Sequence, residues 1–406
     1  MTGRTDMNMV NTLVAKGVTI PHPAMVTIDA DVDPDRISGE RVIIHPGTRI
    51  RGARTVISSG VELGREGPVT VEDCIIGPDV QLKGGYAAKA VFLQGANLGL
   101  GHHVREGSIL EEQAGGAHTV GLKQTILFPF VTLGSLINMC DCLMAGGTSR
   151  KNHSEVGSSY IHFNFTPTGD KATPSMFGDV ARGVMLRERP IFLGGQGGTV
   201  GPARVAYGTV VGAGEILRQD IVEENQLVIP GAAPSVRRDF SPEQIRGAAR
   251  LVARNVEYLA ALDALEAWYR QARAPFFAAM ELGDLVLEGA LGALGSARQE
   301  RAKRLSTLLS KLTNPRGDEA DLLTARERLC VPDCGGAAGA MLPAAPETVL
   351  SALGQAAEAG TPYVQAVQGL SAQEVQAGTA WLEEVGAVRL AAARALVPGL
   401  PVAAAR

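Results

Sequence analysis

Aliphatic residues recur every six positions through the first half of the chain: Ile44, Ile50 and Val56, then Ile76 and Leu82, then Val205, Val211 and Leu217. A helix repeats its apolar face every 3.6 residues and a strand every second residue, so this period belongs to neither. It fits a coil of three short faces, with one aliphatic side chain from each face pointing inward and Gly, Pro, Asp or Asn at the corners. Such a coil buries little by itself, so coils must stack into a β-solenoid. The pattern is clearest over residues 191–231, where the phase holds through Val205, Val211 and Leu217. Between Gly84 and Met144, strand-like runs such as 125–130 persist but the phase slips, which predicts long insertions leaving the solenoid as loops.

Near Pro234 the pattern changes to Ala, Leu, Glu and Arg at helical spacing. Ser241, Pro242 and Glu243 place an N-cap serine before a proline at the first helical position. Leu251, Val252, Val256, Leu259, Leu262 and Leu265 then form one stripe that runs to about Arg273, where Pro275 is expected to end the helix. A second helix is expected over 276–312, with Gly283, Gly289, Gly292 and Gly295 as points of close helix packing and Phe276 and Phe277 anchoring it to the first. After a turn at 314–317, shorter helices are expected over 322–329, Glu347–Glu358 and Ala372–Leu396. The pattern thus divides the chain into an N-terminal segment (1–17), a β-solenoid (18–236) and an all-α region (237–406). Trp268 and Trp381 serve the last as apolar anchors, and its role is expected to be that of a cap, an oligomerisation element or a docking module.

Composition sharpens this picture. The 406 residues include 49 glycines but only 4% aromatics, a balance suited to many tight turns around a narrow interior. Lys and Arg number 38 against 42 Asp and Glu, and the formal net charge of −4 lacks the basic footprint of a nucleic-acid binder. No apolar run is long enough for a membrane span, and the stretch from Met1 to Leu13 lacks the apolar core of a signal peptide. Five cysteines do not form a secreted disulfide framework, so a reducing cytoplasm is the expected compartment.

Two segments resemble the hexapeptide-repeat acyltransferases. Residues 156–165 (VGSSYIHFNF), followed by Gly169, Asp170, Lys171, Thr173 and Gly178-Asp179-Val180, are similar to the run I-G-A-G-T-I-x-x-N-Y-D-G, Lys, Thr, G-D-D-V of the acetyltransferase domain in bifunctional enzymes that acetylate glucosamine-1-phosphate and couple the product to uridylate. Residues 191–231 resemble that domain's terminal coils. The resemblance implies a left-handed parallel β-helix, a homotrimer with sites between neighbouring solenoids, acetyl-CoA as co-substrate, and an amino-sugar phosphate or nucleotide sugar as acceptor. The Gly-rich, Arg-containing nucleotide motif of the uridyltransferase half is absent, so uridylyl transfer is not expected. The family's N-Y-D-G is replaced here by Asn164-Phe165-Thr166-Pro167-Thr168-Gly169-Asp170.

Acetyl transfer to an amine needs a base, donors for the thioester oxyanion and positive charge for phosphate. His153 and His162 are the alternative bases, because two frames of the resemblance place the catalytic histidine at one or the other. Arg150 and Lys151 are candidate phosphate binders, and Asn164, Asp170 and Lys171 candidate sugar contacts. The small residues Gly194, Gly195, Gly212, Ala213 and Gly214 resemble the family's acetyl-CoA groove, with Arg237 and Arg238 candidates for the CoA phosphates. Two rival readings stand beside this one. A non-catalytic sugar-nucleotide-binding or assembly protein would keep the groove without turnover, and a zinc enzyme of the carbonic-anhydrase type would draw on His102, His103, His118, His153 and His162. The pairs Cys140/Cys142 and Cys330/Cys334 have no second Cys/His pair at zinc-finger spacing and read as free thiols.

Overall fold

The computed structural model describes residues 7–161, 173–231, 235–237, 239, 245, 247–312, 318–332 and 342–402. The first half of the chain is a parallel β-solenoid of about 11 turns over residues 27–228, and a helical region follows it, the fold class that the six-residue period and the later helical stripes predict.

Strands of two to eight residues stack coil on coil in parallel register, giving three faces. On the first face the inward column runs Ile44, Leu63, Leu82, Leu98, Gly116, Leu133, Val156, Leu193, Val211 and Val228. On the second it runs Ile28, Ile50, Val71, Ala87, Val104, Leu122, Met139, Ile161, Thr199 and Leu217. The third carries Ile57, Ile76, Phe92, Leu110, Leu127, Met144, Phe177 and Val205. Nearly all of these side chains are fully buried. At about 1.5–3 kcal/mol for each fully buried aliphatic, these columns are the main source of the solenoid's stability.

The strand patterns distinguish the faces. First-face strands alternate outer and buried positions, as in Glu62–Leu63 and Gln81–Leu82. Third-face strands are buried on both sides: Val56–Ile57, Ile75–Ile76, Val91–Phe92 and Ile109–Leu110. Continuous burial of a parallel strand requires a layer on each side. The outer layer here is the helical region, whose long helix Gly283–Leu309 packs on Ile75–Ile76 and Val91–Phe92 while Ala248–Trp268 packs on Ser175–Phe177. Solenoid and helices share one continuous apolar core, so the helical region is a lateral cover rather than an end cap. Polar ties reinforce it: Arg254 pairs with Asp220 at 2.6 Å, Arg301 with Asp141, and Ser38 Oγ donates to Glu281 at 2.5 Å. Ahead of the solenoid, the helix Met7–Lys16 seats Val10 and Leu13 in the same core.

Several expectations need correction. The stretch from Gly84 to Met144 holds no long insertion; it coils continuously, and its phase slips because corner lengths vary and because the strands Val120–Leu127 and Ile137–Met144 run through a corner at Gln124 and Asp141, both at positive φ. The insertions lie later, at the antiparallel hairpin Gly147–Ser149/Asn152–His153 and around the short helix Val180–Gly183. Pro275 does not end a helix. A π-helical turn over Tyr269–Arg273 shifts the hydrogen-bond register and places the proline in the first turn of Ala274–Ala278, where its missing N–H costs nothing. The second helix begins at Gly283 rather than 276, after Leu282 at φ +57°, and Phe276 and Phe277 belong to the preceding helix. The first helix starts after Gly247; Ser241 and Pro242 lie outside the described residues. The helices Glu347–Glu358 and Ala372–Leu396 stand where the pattern places them, while Tyr363–Gly369 was not anticipated.

Candidate active site

The hairpin carrying His153 leaves the solenoid at the corner between the third and first faces. Gly146 and Gly147 have φ of +101° and +102°, a left-handed stretch open to glycine and costly for other residues, and it turns the chain outward. The hairpin is then fixed from three sides. Arg150 Nη1 donates to Gln113 O (3.0 Å), Phe130 O (2.9 Å) and Thr132 Oγ1 (2.8 Å). Gln368 Nε2, from the helical region, donates to Thr148 O at 2.7 Å. Ser154 Oγ donates to Ala145 O at 2.8 Å and accepts from Ile191 N at 2.9 Å. Arg150 is therefore a strut across coils, whereas Lys151 at the hairpin tip is exposed.

His153 is held on this rigid base with its side chain 19% exposed. Its Nε2 lies 3.8 Å from Glu155 Oε2, and its buried Nδ1 has no hydrogen-bond partner. Residues two apart in extended chain share a side, which brings the histidine and the carboxylate together. Glu155 is the residue that the sequence reading missed, although the spacing itself signals it.

The small-residue cluster forms the opposite edge of the same face. Gly157, Gly194 and Gly212 stack at the corner after the first-face strands, so closely that a Cβ on Gly194 would fall 2.5 Å from Gly212 C and Ala213 N. Their amides serve the coil ladder: Gly157 N donates to Leu193 O, Gly194 N to Val211 O, Gly212 N to Val228 O and Gly214 N to Gly195 O. Four residues of extended strand, about 13 Å, separate His153 from Gly157. Histidine and glycine corner are thus two edges of one face, not one pocket within a single chain. Arg237 is exposed beyond the last coil. His162, Asn164, Asp170, Lys171 and Arg238 lie outside the described residues.

The other histidines diverge. His102 points into the solenoid, where burial lowers its pKa to about 4; His103 points outward and stacks on Tyr86 at 5.1 Å; His118 is exposed. Burial pushes the Cys140 and Cys330 thiols up to about 11 and that of Cys142 well above its usual range, and Cys334 lies outside the described residues. Among the described residues no group of three or more His, Cys, Asp or Glu is placed to hold a metal ion.

Fold and corner geometry together define a parallel β-solenoid of hexapeptide type, with a rigidly mounted histidine and a glycine-lined corner on one face. No family model matches the chain. Its N-terminal half is similar to the bifunctional protein GlmU. It is 27% identical over 216 residues to that of Thermotoga petrophila, covering 53% of this chain and 43% of that protein. It is 30% identical over 210 residues to that of Trichlorobacter lovleyi (52% and 40%) and 25% identical over 221 residues to that of Mycobacterium leprae (54% and 40%). The chain thus spans less than half the length of these relatives. No helix among the described residues is long and apolar enough to cross a membrane.

Proposed function

We propose that this chain transfers an acetyl group from acetyl-CoA to the amino group of a sugar phosphate or nucleotide sugar. The observation that carries the reading is His153, mounted on a braced hairpin beside Glu155 in a solenoid similar to bifunctional GlmU proteins. In this reaction the acceptor amine attacks the thioester carbonyl, the C–N bond forms and the C–S bond breaks. His153 takes the amine proton and returns it to the leaving sulfur, while Glu155 favours the transient imidazolium. The side-chain-free corner at Gly157, Gly194, Gly195 and Gly212 lets a pantetheine arm run against the backbone. Since one chain keeps histidine and corner on opposite edges, neighbouring copies complete each site, as in the homotrimer that the resemblance implies.

A second reading is a sugar-nucleotide-binding or assembly protein, and the bracing role of Arg150 favours its assembly form, because that guanidinium is already committed to coil carbonyls rather than to a phosphate. Release of free CoA thiol separates the two. With acetyl-CoA and glucosamine-1-phosphate, the enzyme reading expects thiol release that falls at least about a hundredfold in His153→Ala, the lower range for loss of a general base. The same loss in His162→Ala alone moves the base to that residue. Ligand binding without thiol release supports the second reading.

A further inference from the structure

Between the helix Gly283–Leu309 and the corner that joins the second and third faces lies an open cleft of about 710 Å³, which the acyl-transfer reading does not use. Most of its charges are committed to partners. Arg54 pairs with Asp73 at 3.7 Å, Glu106 with Lys123 at 3.2 Å, and Glu300 with Arg304 at 2.7 Å. Arg36, Lys89 and Lys303 enter no ion pair among the described residues, and Glu288 is the one lining carboxylate that enters none. Three cations against one carboxylate leave two positive charges over, which matches a phosphate monoester near neutral pH. Surface cations alone gather only counterions; Gln124 makes this cleft a site. It is 6% exposed, and its amide lies over Gly107, in the space that a Cβ there would need. Among the described residues the amide has no hydrogen-bond partner, yet it is not sealed in, because it lines the cleft. A largely buried amide is costly to leave unbonded, and a ligand edge with one donor and one acceptor would satisfy both of its groups.

We propose that this cleft binds a nucleoside monophosphate, with the phosphate among Lys89, Lys303 and Arg36 and the edge of the base on Gln124. Lys89, Gly107 and Gln124 stand at one corner of three successive coils, where Gly107 N donates to Lys89 O and Gln124 N to Glu106 O. Two coil steps put about 10 Å between the backbones of Lys89 and Gln124, a separation that a mononucleotide bridges from phosphate to base. A glutamine amide takes adenine in a two-bond pair, accepting from N6 and donating to N7. The rest of the lining includes Ile75, Val91 and Ala293, together with Gly292, where a Cβ would meet nothing within 4 Å, so ring and sugar have apolar surface and open space. An inorganic anion would satisfy the cations but leave Gln124 unbonded, and water would bond Gln124 but leave the charge. A nucleotide does both.

The test titrates the full chain by calorimetry with adenosine monophosphate (AMP), and separately with inorganic phosphate and with adenosine. Saturable binding of AMP is expected, at least about tenfold tighter than that of either part. The double variant Lys89→Ala, Lys303→Ala is expected to weaken it by at least about tenfold. Gly292→Met, which fills the cleft from an exposed helix position without removing a charge, is expected to abolish it. In Gln124→Leu the advantage of AMP over phosphate is expected to disappear; should that variant not fold, Gly292→Met decides. None of these residues belongs to the proposed acyl-transfer site, so thiol release is expected to keep its native rate in every folded variant, and the two readings fail separately. Absence of saturable AMP binding, phosphate binding as tight as that of AMP, or an AMP advantage that persists in Gln124→Leu overturns the proposal. So does AMP binding that survives both the double variant and Gly292→Met, which would place the nucleotide elsewhere on the chain.

Discussion

Glu111, buried beneath the helical cover, and His102, buried in the solenoid, titrate in opposite senses. The Glu111 carboxyl is raised from 4.5 to about 7, so the fold prefers its protonated form; that stability is full below pH 4.5 and is lost as pH rises through about 7. The His102 imidazole is lowered from 6.5 to about 4, so the fold prefers the neutral ring; its stability is full above pH 6.5 and is lost as pH falls through about 4. Each contribution is on the order of 3 kcal/mol, and between pH 4.5 and 6.5 their slopes oppose. Urea midpoints of Glu111→Gln are therefore expected to climb from pH 4 to 6.5, and those of His102→Gln to fall from pH 4.5 to 7. Parallel profiles in the two variants would show that neither group carries this linkage. Neither site is legible from six-residue phasing alone: it cannot say that Glu111 and Glu112 are buried, because it is the docked Tyr269–Arg273 turn that covers them. The pairing of His153 with Glu155, by contrast, follows from a spacing of two in a strand.

Among the elements, the helix Gly283–Leu309 shows why glycines at helical spacing cannot be read alike. At Gly289 a Cβ would overlap Ile75 Cγ1, so this glycine sets how closely the helix approaches the third face, whereas Gly292 has nothing within 4 Å and borders an open cleft. Gly289→Ala is expected to destabilise by about 1–3 kcal/mol, as overpacking does, with part of the loss recovered by adding Ile75→Ala. Gly292→Ala is expected to stabilise by up to about 1 kcal/mol, through helix propensity alone. Denaturant titration of the four proteins checks both, and equal effects at the two positions would contradict the assigned packing. The helix Ala372–Leu396 was legible because its start is chemically marked: Ser371 and Glu374 form a reciprocal capping box. The lateral docking of the helices was legible too, in doubled aliphatics such as Val56-Ile57 and Ile75-Ile76, but the six-residue search takes one residue of each pair and takes Val56, which lies in register with the helix-facing Ile75, where Ile57 is the inward residue. Pro275 misled because local sequence does not announce a π-helical turn.

For the whole molecule, the helical cover decides which surfaces remain for assembly. The third face is largely covered by its own chain, so the homotrimer that the resemblance implies is expected to form through the first and second faces. The first face ends in an aligned apolar column, Phe192, Val210 and Leu227, that are 38%, 39% and 69% exposed and neighbours in register. The same face bears His153 along one edge and the glycine corner along the other, so contacts that bury this column would also bring one copy's histidine toward another copy's corner. Sedimentation is expected to give three chains of 42.4 kDa. The double variant Val210→Asp, Leu227→Asp places charges on the column without replacing a residue of the proposed site or the register neighbour of Glu155; it is expected to sediment as single chains, keep its helical and strand signal, and lose CoA thiol release together with the trimer. A native protein that sediments as one chain while turning over at full rate would separate catalysis from assembly and leave the two edges of the first face without a common site.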